Sequence, residues 1–272
     1  MENIKRDYSF TNGRQIWRLL LTDLNKIIIE DRDKISKEVF FNCLDINSGK
    51  VIFKNFQLED KFWVGIETIY KDIIYFHKFL KPDMPVHTGI IAYDINSSKI
   101  LWKTDEYNFL FIKDEKVYAF KNKFEGRDFL TFNYKNGNKL ESLGADSTKV
   151  NFIREKELIK NNFNDYLFPE PVNLSENSLS TDIIKELKIE KVITGVINFI
   201  TLNNLLMINF HEVLSNGNLR NTFRIIEIGS KKVILEEVLD KETKLLIPES
   251  FFIKNNQVFL IKEKVKLIVY SF

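Results

Sequence analysis

Three histidines are the residues of this chain best suited to metal or proton chemistry: His77, His87 and His211. His77 and His211 each follow an apolar strand end, in IIYF-His and MINF-His, and Glu212 stands beside the second. A repeat described below places these two segments three units apart in a ring, whereas a metal needs its ligand atoms about 2 Å away. We therefore predict exposed loop histidines and no metal site.

Carboxylates recur in close pairs, and glycoside hydrolysis uses two carboxylates about 5–10 Å apart. The 38 acidic residues are nearly balanced by 40 lysines and arginines, which indicates that most of these carboxylates are solvated turn charges. The pairs are Asp31 with Asp33, Glu59 with Asp60, Asp105 with Glu106, and Glu236 with Glu237.

No other catalytic motif is recognisable. The sequence lacks Gly-x-Ser-x-Gly, a P-loop and a dinucleotide fingerprint. Cys43 precedes Leu44 in a predicted strand, and we expect it to be a small buried hydrophobe. Because no nucleophile has a base partner, no catalytic residue is assigned. Whether the chain is an enzyme stays open, with the balance against it.

Length, charge and cysteine content exclude several classes of partner. The chain has 272 residues and a formal charge of +2, which provides no long-range field for nucleic acid. Its single cysteine excludes an internal disulfide framework. No run approaches the roughly 20 apolar residues of a membrane helix, and the N-terminal segment is charged where an export signal is apolar. We expect a cytoplasmic protein that binds neither nucleic acid nor membranes.

The elements that position these residues follow a repeat. An apolar strand, a tight polar turn and a second apolar strand recur six times, about 45 residues apart. Only three alanines stand against 24 phenylalanines, which favours strands over helices. The six turns lie near Asn25, Asp72, Glu115, Lys156, Asn204 and Asn256.

A second hairpin lies between these first hairpins, at residues 43–53, 92–102, 131–141 and 225–235. Two hairpins per unit make a four-stranded antiparallel sheet, which is the content of one propeller blade. We predict an all-β chain in which residues 1–272 form a single β-propeller of six four-stranded blades. A β-sandwich with turns at similar spacing is the alternative.

The second hairpins carry a family resemblance. Residues 45–50 (DINSGK) precede Phe53, and residues 94–99 (DINSSK) precede Trp102. This wording resembles the repeat of quinoprotein-like (PQQ-type) propellers. From IWRLLL through EDRD and CLDINSGKV to the closing PESFFIKNNQVFLIKEKVKLIVY, the chain also resembles an uncharacterised bacterial propeller-like family of unknown function.

That resemblance has implications for packing and cofactors. It implies that Phe53 and Trp102 are core residues that pack between neighbouring blades. Quinoprotein dehydrogenases that resemble this repeat use a calcium site and often an adjacent-cysteine pair, and this chain has one cysteine. It is similar to the cofactor-free members of the class, so no cofactor and no metal are expected.

The N-terminus and one internal segment depart from the repeat. The last blade has only three strands, and we predict that residues 4–11 (IKRDYSFT) complete it and close the ring. Residues 14–18 are the alternative closing strand, because GRQIW echoes the end of a second hairpin. Residues 161–195 form an irregular blade or insertion, in which 180–189 is either a short helix or a strand.

Three connections between the second and third strands of a blade exceed the length that a hairpin needs: residues 77–88, 121–127 and 211–221. We predict a non-catalytic binding or scaffold propeller that engages a protein or polar ligand, of acidic or phosphorylated character, through this long-loop face or the central channel. The alternative is a carbohydrate-active hydrolase or lyase with a site at the channel mouth, which requires carboxylates or histidines converging within about 10 Å. The predicted binding residues are His77, Lys81, His87, Lys121, Arg127, His211 and Arg220.

Overall fold

A computed structural model of the chain describes residues 4–22, 24–81, 84–158, 165–248 and 250–272. The chain divides into two compact units. Residues Arg14–Asn162 form the central unit, and Met1–Gly13 together with Phe163–Phe272 form the terminal unit. The first strand, β1 (Lys5–Thr11), belongs to the terminal unit.

The described part of the central unit contains three four-stranded antiparallel sheets whose strands follow chain order. The first sheet contains β2 (Gln15–Leu21), β3 (Lys26–Arg32), β4 (Val39–Asp45) and β5 (Val51–Phe56). The second contains β6 (Val64–Tyr70), β7 (Ile73–Lys81), β8 (Met84–Asp94) and β9 (Lys99–Thr104). The third contains β10 (Asn108–Lys113), β11 (Lys116–Lys123), β12 (Gly126–Asn133) and β13 (Lys139–Gly144), and helix α1 (Ser147–Leu158) follows it.

These three sheets pack face to face in sequence. Buried residues of the first and second sheets form one cluster, in which the rings of Phe41 and Phe76 lie 4.7 Å apart. The other face of the second sheet packs on the third through Tyr75 and Leu130. Helix α1 covers the remaining face of the third sheet with the buried Val150. The core of the central unit is therefore a stack of apolar layers between sheets.

The terminal unit contains two five-stranded sheets within its described residues. One has the order β15-β16-β17-β18-β19 and the other, the C-terminal sheet, has the order β1-β22-β21-β20-β14. Their elements are β14 (Tyr166–Leu167), β15 (Glu170–Pro171), α2 (Leu179–Glu190), β16 (Ile193–Leu202), β17 (Leu205–Val213), β18 (Leu219–Glu227), β19 (Lys232–Thr243), β20 (Phe251–Lys254), β21 (Gln257–Lys262) and β22 (Lys266–Ser271).

The two sheets of the terminal unit also pack face to face. The rings of Phe223 and Phe251 lie 4.8 Å apart at the centre of this interface. Helix α2 covers the other face of the β15–β19 sheet with Ile184 and Leu187. Ser178 caps this helix, because its side chain accepts a hydrogen bond from the backbone N–H of Thr181.

One backbone hydrogen bond recurs in all five sheets and confirms the repeat of two hairpins. In each sheet, the carbonyl of a residue in the first-hairpin turn accepts a hydrogen bond from a backbone N–H further along the chain. In four sheets the donor lies in the second-hairpin turn, and in the C-terminal sheet it directly follows β22. Several of these carbonyl residues have positive φ, which asparagine and aspartate tolerate well. The bonds are Ile46 to Asn25, Ile95 to Asp72, Tyr134 to Glu115, Ile228 to Asn204 and Phe272 to Asn256.

The chain is therefore all-β, with antiparallel sheets that are consistent with propeller blades. The described residues contain five sheets. The hairpin predicted near Lys156, which is the fourth of the six along the chain, is wrong because residues 147–158 form α1. The reason is local. Asp146 accepts a hydrogen bond from the N–H of Lys149, and the apolar Val150 and Ile153 lie three residues apart on one helical face.

The N-terminal strand β1 pairs with β22, with Phe10 opposite Leu267. Residues 14–18 instead enter β2 and pair with β3, so the alternative closing strand is wrong. In the irregular segment, residues 161–164 lie outside the described residues. The rest contains β14 and β15, each two residues long at the edge of a sheet, and the helix α2 rather than a strand.

Phe53 and Trp102 pack across sheets as predicted, but both are half-buried rather than core residues. Phe53 lies on β5 with its ring 5.8 Å from that of Tyr93 in the next sheet. Trp102 lies on β9, and its indole N–H donates to the carbonyl of Tyr134 at 3.1 Å. Each sits on the last strand of its sheet, which leaves one side open. In the described part of the chain, neither helix is long and apolar enough to span a bilayer.

Candidate functional site

The predicted binding residues lie on strands rather than on long loops. His77 and Lys81 lie on β7 and His87 on β8, and their ladder continues to the pair Lys81–Met84. The β11–β12 and β17–β18 ladders likewise extend through residues 121–127 and 211–221. The prediction of long loops is wrong because the extra residues lengthen the strand pairs. Lys121 and Arg127 lie on the β11–β12 hairpin, and His211 and Arg220 on the β17–β18 hairpin.

The prediction of exposed histidines is also wrong for two of the three. His77 and His211 are buried, and only the side chain of His87 is 40% exposed. The first two are not equivalent in the repeat either. His77 follows its turn residue Asp72 by five positions, whereas His211 follows Asn204 by seven. In the β15–β19 sheet of the terminal unit, the residue equivalent to His77 is Asn209, which follows Asn204 by five positions.

The structure brings two of the predicted histidines together with a carboxylate that the sequence analysis did not select. Nδ1 of His87 lies 2.7 Å from Oε1 of Glu67, and Nδ1 of His77 lies 3.2 Å from the same oxygen. The two imidazole rings stack with centroids 3.6 Å apart and planes 7° from parallel. Their ligand atoms and that of Glu67 all lie within 4.8 Å of one another. We call Glu67, His77 and His87 the histidine–carboxylate cluster.

Backbone irregularities on both sides of β7 position this cluster. The β6–β7 ladder shifts register at Glu67, and the β7–β8 ladder shifts at His77. Gly65 lies opposite His77, and a Cβ at this glycine would come within 2.9 Å of the imidazole Cε1 and Nε2. Bulges re-aim side chains and are common beside functional sites. The local backbone therefore leaves room for a buried imidazole next to a carboxylate.

The electrostatics of the cluster favour a neutral imidazole beside an anionic carboxylate. Burial lowers the pKa of His77, although the nearby Glu67 opposes this shift. Burial alone would raise the pKa of Glu67, but His77 and His87 outweigh burial and hold it below its ordinary value. Neither ring nitrogen of His77 has a hydrogen-bond partner among the described residues, since its approach to Glu67 is outside hydrogen-bond geometry.

His211 lies in a different environment and is not part of this cluster. Its Nε2 accepts a hydrogen bond from the backbone N–H of Ile247 at 3.1 Å. Burial lowers the pKa of His211. Glu212, the other ligand considered from the sequence, forms an ion pair with Lys191 at 2.5 Å. The lone pair on Nε2 of His211 therefore already accepts a hydrogen bond from the backbone, which indicates a structural role for this histidine.

Beside His211, four buried polar residues bond to one another, and we call them the amide network: Asn209, Asn221, Asp240 and Ser250. Nδ2 of Asn209 donates to Oδ1 of Asn221 at 2.5 Å. Nδ2 of Asn221 donates to Oδ2 of Asp240 at 3.3 Å and to Oγ of Ser250 at 3.0 Å. Burial raises the pKa of Asp240. The network joins β17, β18 and β19 to the segment before β20.

The other predicted binding residues do not join either group. Lys121 forms an ion pair with Glu106 at 2.7 Å. Arg127 is exposed, with its guanidinium 4.2 Å from the centre of the Phe120 ring. Arg220 is exposed on β18. The side chain of Lys81 lies outside the described part of the structure.

Two of the paired carboxylates are buried and bonded, and they are exceptions to the prediction that most of them are solvated turn charges. Asp31 lies 2.6 Å from Arg14, and Glu237 lies 3.0 Å from Arg6 and 2.8 Å from Lys262. Five of the other six bond to turn N–H groups or to a lysine or arginine; these are Asp33, Asp60, Asp105, Glu106 and Glu236.

A cleft of about 350 Å³ in the central unit contains one of these pairs. Glu59 and Asp60 line it together with Lys78, Lys103 and apolar side chains. Oδ1 of Asp60 already accepts hydrogen bonds from the N–H groups of Phe62 and Trp63, at 3.0 and 3.1 Å. Asp60 therefore holds the turn before β6, and only its second oxygen is available to a ligand.

Glu67 is the functional candidate that sequence reasoning missed. The signal was present, because strand alternation places Gly65, Glu67 and His77 on one face of adjacent strands. A carboxylate in the otherwise apolar segment VGIETIY is unusual at a half-buried position. The bulge that brings Glu67 under His77 and His87 has no comparable sequence signal.

A family model described as "Domain of unknown function (DUF4905)" matches residues 22–102, which include the histidine–carboxylate cluster. This match confirms, over less than a third of the chain, the resemblance to a family of unknown function. A search of curated proteins finds no match.

Two solved structures are similar to the chain at 10% sequence identity. One is a "Europium-containing methanol dehydrogenase", with a TM-score of 0.33 and coverage of 96% of this chain and 52% of that chain. The other is "KlHsv2 with loop 6CD replaced by a Gly-Ser linker", with a TM-score of 0.30 and coverage of 91% and 77%. The chain thus spans about half the length of the first of these proteins. Neither similarity assigns an activity.

Proposed function

We propose that this is a non-catalytic binding protein that engages a protein partner through hairpin tips of the central unit. In this proposal the five sheets serve as propeller blades, and β1 supplies the closing strand. The partner presents apolar and acidic side chains, which complement an exposed phenylalanine and a nearby arginine that forms no ion pair with any described residue. The main support comes from one hairpin, β11–β12.

Phe124 is fully exposed at the tip of the β11–β12 hairpin, and this observation carries the proposal. The turn between β11 and β12 is two residues long, Phe124 and Glu125. Asparagine and glycine suit such turns, and an exposed phenylalanine adds nothing to the turn itself. Arg127 lies three residues further on, exposed and with no ion pair to any described residue. Aromatic residues and arginine dominate binding energy at protein interfaces.

Other connections between the second and third strands of sheets in the central unit also expose apolar side chains. Ile35, between β3 and β4, is 94% exposed. Leu80 and Val86 are exposed near the tip of the β7–β8 hairpin. Most basic side chains nearby are neutralised within the chain, such as Lys123 by Asp128 at 3.0 Å. Apolar contact with a smaller charge contribution therefore describes the proposed interface better than a purely basic face.

A pull-down from the native host tests this proposal. Phe124→Ser and Arg127→Ser should each reduce recovery of a specific partner by at least about tenfold. Leu140→Ser is the matched control, because Leu140 is a half-exposed apolar residue on β13 of the same sheet. Circular dichroism confirms that all variants fold. Equal recovery from all variants, or equal loss from the control, would contradict the proposal.

A carbohydrate-active hydrolase or lyase is the second candidate, and the cleft at Glu59 and Asp60 is the observation that favours it. Two neighbouring carboxylates and two lysines surround a space suited to a small polar molecule. Thermal-shift screening against oligosaccharides tests this candidate, with Glu59→Gln as the variant that should abolish any stabilisation. A sugar that stabilises both proteins equally would exclude the cleft as its site.

A further inference from the structure

The histidine–carboxylate cluster presents three ligands of the kind that borderline transition metals prefer. Two imidazoles and one carboxylate, with water in a fourth position, form a common Zn²⁺ donor set. Ligand atoms around such an ion lie about 3.3 Å apart, since each bond is about 2.0–2.1 Å long. The present separations from Oε1 of Glu67 to the two Nδ1 atoms are 3.2 Å and 2.7 Å.

The second, independent observation is the state of His77. Its side chain is fully buried, and both ring nitrogens lack hydrogen-bond partners among the described residues. A neutral imidazole always carries one N–H and one lone pair, so a buried ring without partners is an uncommon arrangement. A cation at Nδ1 would satisfy the lone pair that faces Glu67.

We propose that Glu67, His77 and His87 bind one divalent transition-metal ion of the Zn²⁺ type. The carboxylate supplies the negative charge, and the buried imidazole supplies a rigid ligand already in its neutral form. His87 is the mobile ligand, because its side chain is 40% exposed. The exposed side of the cluster leaves the fourth position open to water.

Binding requires one local rearrangement. The stacked rings are nearly parallel, so their in-plane lone pairs do not meet at a single point. His77 cannot turn freely because it is enclosed by Gly65 and by the Phe79 ring, whose centroid lies 4.8 Å from that of the imidazole at an interplanar angle of 88°. The exposed ring of His87 therefore turns out of the stack when the ion binds, while Glu67 and His77 stay in place.

The experiment uses the full chain, stripped of metal with a chelator and titrated with ZnCl₂ by calorimetry and with Co²⁺ by visible absorption. We expect one equivalent to bind, with a Co²⁺ spectrum of low coordination number. His87→Ala and Glu67→Gln should each weaken binding by at least about tenfold. Neither variant removes a core side chain, so both are expected to fold.

Two controls separate this site from general surface binding. His211→Gln leaves two histidines in the chain, as His87→Ala does, and Glu141→Gln removes an exposed carboxylate from β13. Both controls should bind one equivalent with unchanged affinity. The proposal is overturned if the wild-type chain shows no saturable binding, or if His87→Ala and Glu67→Gln bind as the wild type does.

Discussion

The histidine–carboxylate cluster of the central unit and the amide network of the terminal unit occupy the same place in the repeat. His77 and Asn209 each lie five residues after a residue of the first-hairpin turn, on the second strand of that hairpin. Both side chains are buried. The amide of Asn209 donates to Asn221 and to the carbonyl of Thr222, whereas neither nitrogen of His77 has a hydrogen-bond partner among the described residues.

This difference indicates two roles for a buried polar side chain: stabilising the fold in the amide network, and binding a ligand in the histidine–carboxylate cluster. Hydrogen bonds inside the amide network compensate for the burial of its members, so removing Asn221 takes one hydrogen bond from each of the other three. At His77 no hydrogen bond to a described residue compensates for burial, so removing that ring breaks none, and His87 still bonds to Glu67. Stability measurements on matched variants can distinguish these two situations.

The largest effect is expected from Asn221→Leu, which replaces the amide by an apolar group with the same branching. It leaves Asn209, Asp240 and Ser250 without their shared partner in a buried place. The free energy of unfolding should fall by about 3 kcal/mol, measured by chemical denaturation. Asn216→Ala, at an exposed turn, should change it by less than about 0.5 kcal/mol. A loss of less than about 1 kcal/mol for Asn221→Leu would mean that the network is not structural.

Gly65→Ala should have the next largest effect, because the new methyl group would lie 2.9 Å from the imidazole of His77. Overpacking of this kind costs about 1–3 kcal/mol. Adding His77→Ala to this variant should recover part of the loss, because the clash disappears. Strictly additive losses in this double-mutant cycle would show that Gly65 does not make room for the histidine.

His77→Leu should change the free energy of unfolding of the metal-free chain by less than about 1 kcal/mol. The leucine has a similar volume, and no hydrogen bond to a described residue is lost. Compared with the large effect of Asn221→Leu on β18, this small effect sharpens the contrast between the two sites. A loss above about 2 kcal/mol would show that His77 is as structural as the amide network.

The smallest effect concerns pH. Burial lowers the pKa values of His77 and His211 below the ordinary 6.5, so the unfolded chain binds more protons than the folded chain as the pH falls through this range. The contribution of these two histidines to the free energy of unfolding is therefore complete above pH 6.5 and declines below it. Asp240, with a raised pKa, acts oppositely, since its contribution is present in acid and lost as the pH rises through its folded pKa.

The denaturation midpoint of the wild-type chain should thus be lower at pH 5.5 than at pH 7.5. His77→Leu should narrow this difference, because one of the two lowered pKa values is removed. Equal midpoints for the wild-type chain at the two pH values would contradict the burial of neutral histidines.

The repeat of two hairpins could be predicted because local chemistry determines it. Asn and Asp at the turns tolerate positive φ, and alternating apolar residues form the strands between them. Residues 152–160, FIREKELIK, resemble the same pattern, yet the described part of this segment, residues 152–158, lies in the helix α1. Its cap at Asp146 and the helical spacing of Val150 and Ile153 outweigh its resemblance to a hairpin.

The candidate site could be predicted only in part. Strand pairing brings His77 and His87 together, and the sequence analysis did select both residues. The register shifts at Glu67 and His77 depend on packing against neighbouring strands, and a one-residue shift changes the face that a side chain occupies. For the same reason, the two-residue offset between His77 and His211 was hidden by their similar apolar flanks.

NMR of the imidazole nitrogens in ¹⁵N-labelled protein is the most direct test of the central claim. This claim is that the histidine–carboxylate cluster binds a metal ion, whereas the polar residues around His211 are structural. One equivalent of Zn²⁺ added to the metal-free chain should shift the Nδ1 signals of His77 and His87 and leave those of His211 unchanged. Unchanged signals from His77 and His87, or equal shifts at all three histidines, would contradict the account.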